Sequence, residues 1–203
     1  MNYLTHIFLS GTDRKIQFGN FIGDAVKGSS YKHYPQAIAD GILLHRAIDS
    51  YTDNHATVRS AVQLLRPYSG RYSGVLIDIF FDYLLASRFD EFSGVSLKQF
   101  ARSFYLTMVY NYRYMPDRFR RFMWHFIGTN RLVKYATKDG IRESVGIMTR
   151  VGRIKFPVGE AIDYLTECED ELRMIFRPFF GELQVFCTGY LHSENREAYV
   201  KQM

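Results

Sequence analysis

The chain has 203 residues, 47% of them hydrophobic, and a formal net charge of +5. That length suits one domain able to bury its own core, and no apolar run approaches the roughly 20 residues a membrane-spanning helix needs. The positive balance favours an acidic partner or substrate, without choosing between nucleic acid, phosphate and an acidic protein. The opening MNYLTHIFLS lacks a basic leader and reads as the first helix of the mature fold rather than a secretion signal. Cys168 and Cys187 have no metal-type spacing and no third partner, so a zinc–cysteine site is excluded and free thiols in a cytoplasm are expected.

After a turn at 11–15, the pattern predicts a helix over 16–27 that carries Asn20 and Asp24 and ends at Gly28-Ser29-Ser30. Gly19 and Gly23, one turn apart, suggest close helix packing rather than a phosphate loop, and no G-x-x-x-x-G-K-[ST] occurs. Pro35 suits the first turn of the next helix, which has Ile38, Ile42, His45 and Asp49 on one side. Thr52 or Asp53 can cap a helix over 56–65, with Pro67 as its stop. Residues 74–86, GVLIDIFFDYLLA, are apolar nearly all round and predict a central helix. Its interior exceptions, Asp78 and Asp82, are again one turn apart. A long aromatic-rich helix over 97–115 ends at Pro116. The stretch 117–126 sets Arg118, Arg120 and Arg121 among aromatics, and 132–135 is a short helical piece. Helices over 141–154, with Arg150, Arg153 and Lys155 near the end, 158–176 and 179–200 complete the chain. No alternating strand pattern and no repeat is visible, so the reading is all-α, one domain over 1–203.

The stretch 41–55, GILLHRAIDSYTDNH, concentrates histidine, aspartate and arginine in an apolar helix. His45 and Asp49 share a face there. If the helices pack as one bundle, Asp24, the His45/Asp49 pair and the Asp78/Asp82 pair converge, and His6 can join from the first helix. One His/Asp and one Asp/Asp pair on separate helices can supply ligands to a divalent metal. Mixed nitrogen and oxygen donors suit manganese, iron or magnesium with water better than a closed structural zinc. The competing reading is an ion-pair network without metal, in which Arg46 or Arg71 faces the carboxylates. The arginines at 118–121 form either a solvated basic face or a phosphate-binding edge. His33, His125 and His192 lack partners at ligand spacing.

The sequence resembles the acyl carrier protein phosphodiesterase family, also called acyl carrier protein hydrolase. The matching pieces are MNYLTHIFLS, GNFIGDAVKG at 19–28, GILLHRAIDSYTDNH at 41–55 and RYSGVLIDIFFDYLLA at 71–86, with a weaker RLVKYA at 131–136. The resemblance implies an all-helical, HD-domain-like bundle. It also implies a divalent metal, typically manganese, that serves to hydrolyse the phosphodiester joining 4′-phosphopantetheine to a serine of holo-acyl carrier protein. The partner would then be an acidic carrier protein rather than nucleic acid or a membrane. His6, Asp24, His45, Arg46, Asp49, Asp78 and Asp82 stand at matching positions. The set expected to hold metal is His6, Asp24, His45, Asp78 and Asp82; Asp24, Asp49 and Arg46 are the expected catalytic groups. One departure is Tyr83, where the family commonly has histidine. The alternatives are a phosphohydrolase of nucleotides or other small phosphoesters, and a helical binding module without metal.

Overall fold

The computed structural model describes residues 2–150, 155–193 and 199. Among them there is no strand; the chain runs through α1 (Tyr3–Leu9), α2 (Arg14–Ile22), α3 (Gln36–Asn54), α4 (Ala56–Ser69), α5 (Ser73–Ser87), α6 (Leu97–Tyr110), α7 (Asp117–Gly128), α8 (Arg131–Lys134), α9 (Lys138–Arg150), α10 (Val158–Glu167) and α11 (Glu169–His192). The all-α expectation holds. None of these helices is long and apolar enough to cross a membrane.

The central helix is α5, as its apolar run requires. Leu76, Ile77, Ile79, Phe80, Phe81, Leu84 and Leu85 are buried on all its sides, and α1, α4, α9 and α11 pack around it. Phenylalanine dominates the core. Phe18, Phe21, Phe104 and Phe126 are fully buried on the α2–α6–α7 side, and Phe176, Phe179, Phe180 and Phe186 on the α11 side. Such rings bring a large buried area at little conformational cost.

The helix pair that matters most for the site is α2 and α3. A Cβ on Gly19 would overlap the Ile38 carbonyl, and one on Gly41 would overlap the Ile16 carbonyl and lie 2.9 Å from the Gly19 Cα. Glycine at both positions lets the two backbones touch, so side chains from one helix reach across to the other.

Several element ends differ from the sequence reading. Residues 16–27 do not form one α-helix: α2 stops at Ile22, and Asp24 lies in a 3₁₀ turn, Gly23–Ala25. The start of α2 is fixed by Asp13, whose carboxylate accepts from the Lys15 and Ile16 amides. Neither Thr52 nor Asp53 caps α4, which has His55 at its N-cap position. Pro67 does not stop α4, and Pro178 lies inside α11. The last helical break therefore falls at Cys168 instead of near 178. Both prolines are on exposed faces, where water can take the carbonyl each leaves free; in α11 the burial of Phe176, Phe179 and Phe180 outweighs the roughly 3 kcal/mol a proline costs a helix interior. Of the helices expected over 141–154 and 179–200, residues 151–154, including Arg153, and 194–198 and 200 lie outside the described residues.

Candidate metal centre

The stretch 41–55 delivers its histidine and carboxylate as its spacing requires. His45 and Asp49 lie on the face of α3 that looks toward α1, and His6 of α1 meets them. The His6 and His45 rings stack, centroids 4.1 Å apart. Asp49 closes the group with both oxygens: Oδ1 is 3.1 Å from His6 Nε2, and Oδ2 is 3.2 Å from His45 Nε2. One donor atom from each residue falls within 4.8 Å of the others. Asp24 stands beside them at the rim, its Oδ1 3.6 Å from His45 Nε2.

These contacts have ion-pair distance but not hydrogen-bond direction. The Nε2 atoms of both histidines are buried and make no hydrogen bond. Buried polar nitrogens are seldom left so. Two imidazole nitrogens and a carboxylate pointing toward a common space are what a divalent ion fills, and the donor set fits one.

Asn20 prepares His45 for that task. Asn20 is fully buried, and its Nδ2 donates to the His6 carbonyl and to Ser10 Oγ, each at 2.9 Å. That network assigns its Oδ1 to His45 Nδ1, 3.2 Å away. Nδ1 must therefore carry the proton, which leaves Nε2 as the donor atom for a cation. The same asparagine ties α1 to α2 through the His6 carbonyl. Gly23 supplies the remaining space: a Cβ there would lie 2.7 Å from His45 Cδ2.

Electrostatics follow from this packing. Burial, helped by the charge of His45, lowers His6 to about 4, so His6 is neutral at ordinary pH. Burial acts against the His45 charge too, but Asp24 and Asp49 outweigh it and lift His45 to about 9. Asp49 is pushed the other way: burial disfavours its charge, and the two histidines more than compensate, holding it well below the usual carboxylate range. Asp24 is lowered by its contact with His45. Without a metal, then, a proton on His45 is the cation that the carboxylates hold.

A cavity of about 230 Å³ opens at this group; His6, Asn20, Asp24, His45 and Asp78 line it. Asp78 faces it from α5, half-buried, and burial raises its carboxyl. Two expected members are elsewhere. Asp82, expected as a ligand, is fully buried against the start of α1: its Oδ2 accepts from the Leu4 amide, and its Oδ1 from the Thr5 amide at 2.9 Å and the Thr5 hydroxyl at 2.6 Å. Burial raises it to about 6. Arg46, expected as a catalytic group, instead donates to the Val26 carbonyl at 2.9 Å and lies over the Tyr31 ring. It does not line the cavity.

The metal-free alternative required an arginine facing the carboxylates. Arg46 is committed to Val26, and Arg71 donates to Tyr72 and lies over its ring. Among the described residues no arginine forms an ion pair with Asp24, Asp49, Asp78 or Asp82; Arg118 reaches Asp24, but at its backbone carbonyl.

The acyl carrier protein phosphodiesterase family matches residues 1–183 of this chain. The chain belongs to that family. Among its relatives is an acyl carrier protein phosphodiesterase from Klebsiella pneumoniae, 30% identical over 76% of this chain and 81% of its own length. An enzyme of the same name from an Enterobacter species is 28% identical over the same shares of each chain. No solved structure matches. Against the family pattern, the Tyr83 departure falls away from the His6–His45–Asp49 group. Its hydroxyl donates to Glu169 of α11 at 3.1 Å, and it lies neither in the ligand group nor along the cavity. What the sequence reading passed over is Asn20, whose one visible signal was a polar residue on the apolar face of GNFIGD.

Proposed function

We propose that this chain is a divalent-metal phosphodiesterase that hydrolyses the link between 4′-phosphopantetheine and a serine of holo-acyl carrier protein. The observation that carries the reading is the pair of buried, unbonded Nε2 atoms of His6 and His45 flanking Asp49, in a chain of this family. His6, His45 and Asp49 would hold the ion, with Asp24 as a further carboxylate at the rim. Manganese suits this mixed donor set.

When bound, the ion supplies charge to neutralise the phosphodiester oxygens and lowers the pKa of a water. The chain's own residues do the rest. Asn20 keeps the His45 Nδ1 proton in place, so Nε2 stays available. Asp49 spans the two histidines and fixes their separation. Asp78, which lines the same cavity from α5 and has a carboxyl raised by burial, is the group best matched to accept the proton of the attacking water. The water oxygen bonds to phosphorus as the bond from phosphorus to the seryl oxygen breaks. The proton taken up at Asp78 balances the one the seryl oxygen requires. The products are the apo-carrier protein and 4′-phosphopantetheine.

The test is an assay of the purified protein with holo-acyl carrier protein and manganese, with and without chelator, reading 4′-phosphopantetheine by mass spectrometry. Release that stops with chelator and returns with manganese is expected; no release under either condition defeats the reading. Asp78→Asn separates base from ligand. As a base, its loss lowers kcat by about 10²-fold or more while manganese affinity stays within about twofold. A parallel fall in manganese affinity would make Asp78 a ligand.

A further inference from the structure

The phosphodiesterase reading leaves a second cavity unexplained. It measures about 320 Å³ and shares three wall residues, Asn2, Tyr3 and Met148, with the cavity at the metal centre. Beyond them it runs between α7 and α9. Phe119, Phe122 and Ile147 give it apolar sides, and Arg118, Arg131 and Ser144 set polar groups along them. Arg131 is a built element of the wall, 4% exposed. Asn130, in the left-handed region at φ 50°, turns the chain into α8 just before it. The Arg131 guanidinium is then held by Glu143 at 3.2 Å and Ser144 at 3.3 Å, which fixes it in the cavity wall. Arg118 bonds the Asp24 backbone carbonyl, so the walls of the two cavities are tied together at the rim of the metal centre.

We infer that this second cavity is the subsite for the pantetheine arm of the substrate, an inference that rests on the phosphodiesterase reading above. The arm starts at the phosphate and is slender and uncharged. It has two methyl groups on one carbon, a hydroxyl, two amides and a terminal thiol. Its binding site must begin at the reacting phosphorus, present apolar walls to the methyl and methylene groups, and place scattered donors for the amide oxygens. The second cavity meets each requirement. At about 320 Å³ it is too small for a helical segment of the carrier protein, one turn of which, about 10–12 Å across and about 5.4 Å long, fills roughly 400 Å³ or more. The carrier protein must therefore lie outside, with its serine at the mouth of the metal centre and the arm threaded inward past Tyr3 and Met148. The subsite would also separate this substrate from other phosphodiesters, because the arm is what distinguishes it from a generic diester of similar charge.

The experiment compares 4′-phosphopantetheine with inorganic phosphate by titration calorimetry in manganese, on wild type and on Ile147→Trp. Ile147 is half-buried and lines the second cavity but not the first, so tryptophan there would fill it. Wild type is expected to prefer 4′-phosphopantetheine at least tenfold, and the variant to lose most of that preference. Equal affinities in wild type, or a full preference in the variant, overturn the subsite. If Ile147→Trp does not fold, inhibition of wild type decides: pantetheine without phosphate should compete with holo-carrier protein, and absence of competition overturns the inference. Failure of the underlying reading looks different, because wild type would then release no 4′-phosphopantetheine from holo-carrier protein at all.

Discussion

Asp49→Asn is expected to abolish most activity while leaving the fold intact. Asparagine keeps the shape of the side chain and its place on α3, but loses the charge that balances an ion between His6 and His45. Outer partners of metal ligands typically cost about 10–100-fold when removed, so loss of a carboxylate inside the donor group should lower kcat/KM by at least about 100-fold. Manganese should raise the melting midpoint of wild type and leave that of Asp49→Asn unmoved. A variant that manganese still stabilises would remove Asp49 from the donor group.

The same group gives a pH dependence whose sign can be worked out. In the metal-free protein His45 titrates at about 9, above the ordinary 6.5. Its contribution to stability is therefore fully present below pH 6.5 and lost as pH rises through about 9. His6 has the opposite sign: lowered to about 4, it favours the fold above pH 6.5, and that contribution is lost as pH falls through about 4. Near pH 7, then, His45 alone carries a proton that an ion must displace. Manganese binding should release about one proton per ion and tighten about tenfold per pH unit between pH 5 and 8. Calorimetry in buffers of different ionisation enthalpy counts that proton. Asp49→Asn removes one of the two carboxylates that hold it, so in the metal-free variant His45 should titrate below about 9.

How much of this was legible in the sequence depended on whether local spacing or long-range packing set each feature. The pairing of His45 with Asp49 follows from helical periodicity alone. The central place of α5 follows from a run with no polar face. His6 joins because α1 packs on α5 and Asn20 holds its carbonyl, and only the second of these left a local trace. Asp78 and Asp82 show where the spacing argument failed. Being one turn apart puts both on one side of α5, yet α1 divides that side: Asp78 remains at the cavity, while Asp82 is covered by the first residues of α1 and becomes their hydrogen-bond acceptor. Arg46 failed for a related reason. It is adjacent to His45 in sequence, but one residue on a helix turns a side chain by about 100°, and this one meets the 3₁₀ turns after α2. Pro67 misled because a stop signal read from sequence takes no account of which face the proline is on.

Asp82→Ala is expected to have the largest effect on stability. Asp82 is fully buried, and three groups donate to it: the Leu4 amide, the Thr5 amide and the Thr5 hydroxyl. The two amides belong to the first turn of α1, where the helix itself offers no acceptor. Alanine would leave these donors buried without partners, at about 1–3 kcal/mol each. It would also remove the charge that favours the positive end of the helix dipole. A total loss of roughly 4 kcal/mol should lower the melting midpoint by about 10 °C, at the roughly 2–4 °C per kcal/mol of a chain this size. Thr5→Val removes only the hydroxyl donor and keeps the amides paired, so it should lose about 1 kcal/mol. Because Thr5 precedes His6, loosening this turn also releases one histidine of the metal centre. Manganese affinity should therefore fall in Asp82→Ala, yet saturating manganese should still raise its midpoint, since His6, His45 and Asp49 are all present. That rise is what separates Asp82 from the donor group: Asp49→Asn, which leaves the His45 charge with one carboxylate fewer, should melt lower without metal and ignore manganese, whereas Asp82→Ala should melt lower and respond to it. An Asp82→Ala protein as stable as wild type without metal, but indifferent to manganese, would return Asp82 to the ligands.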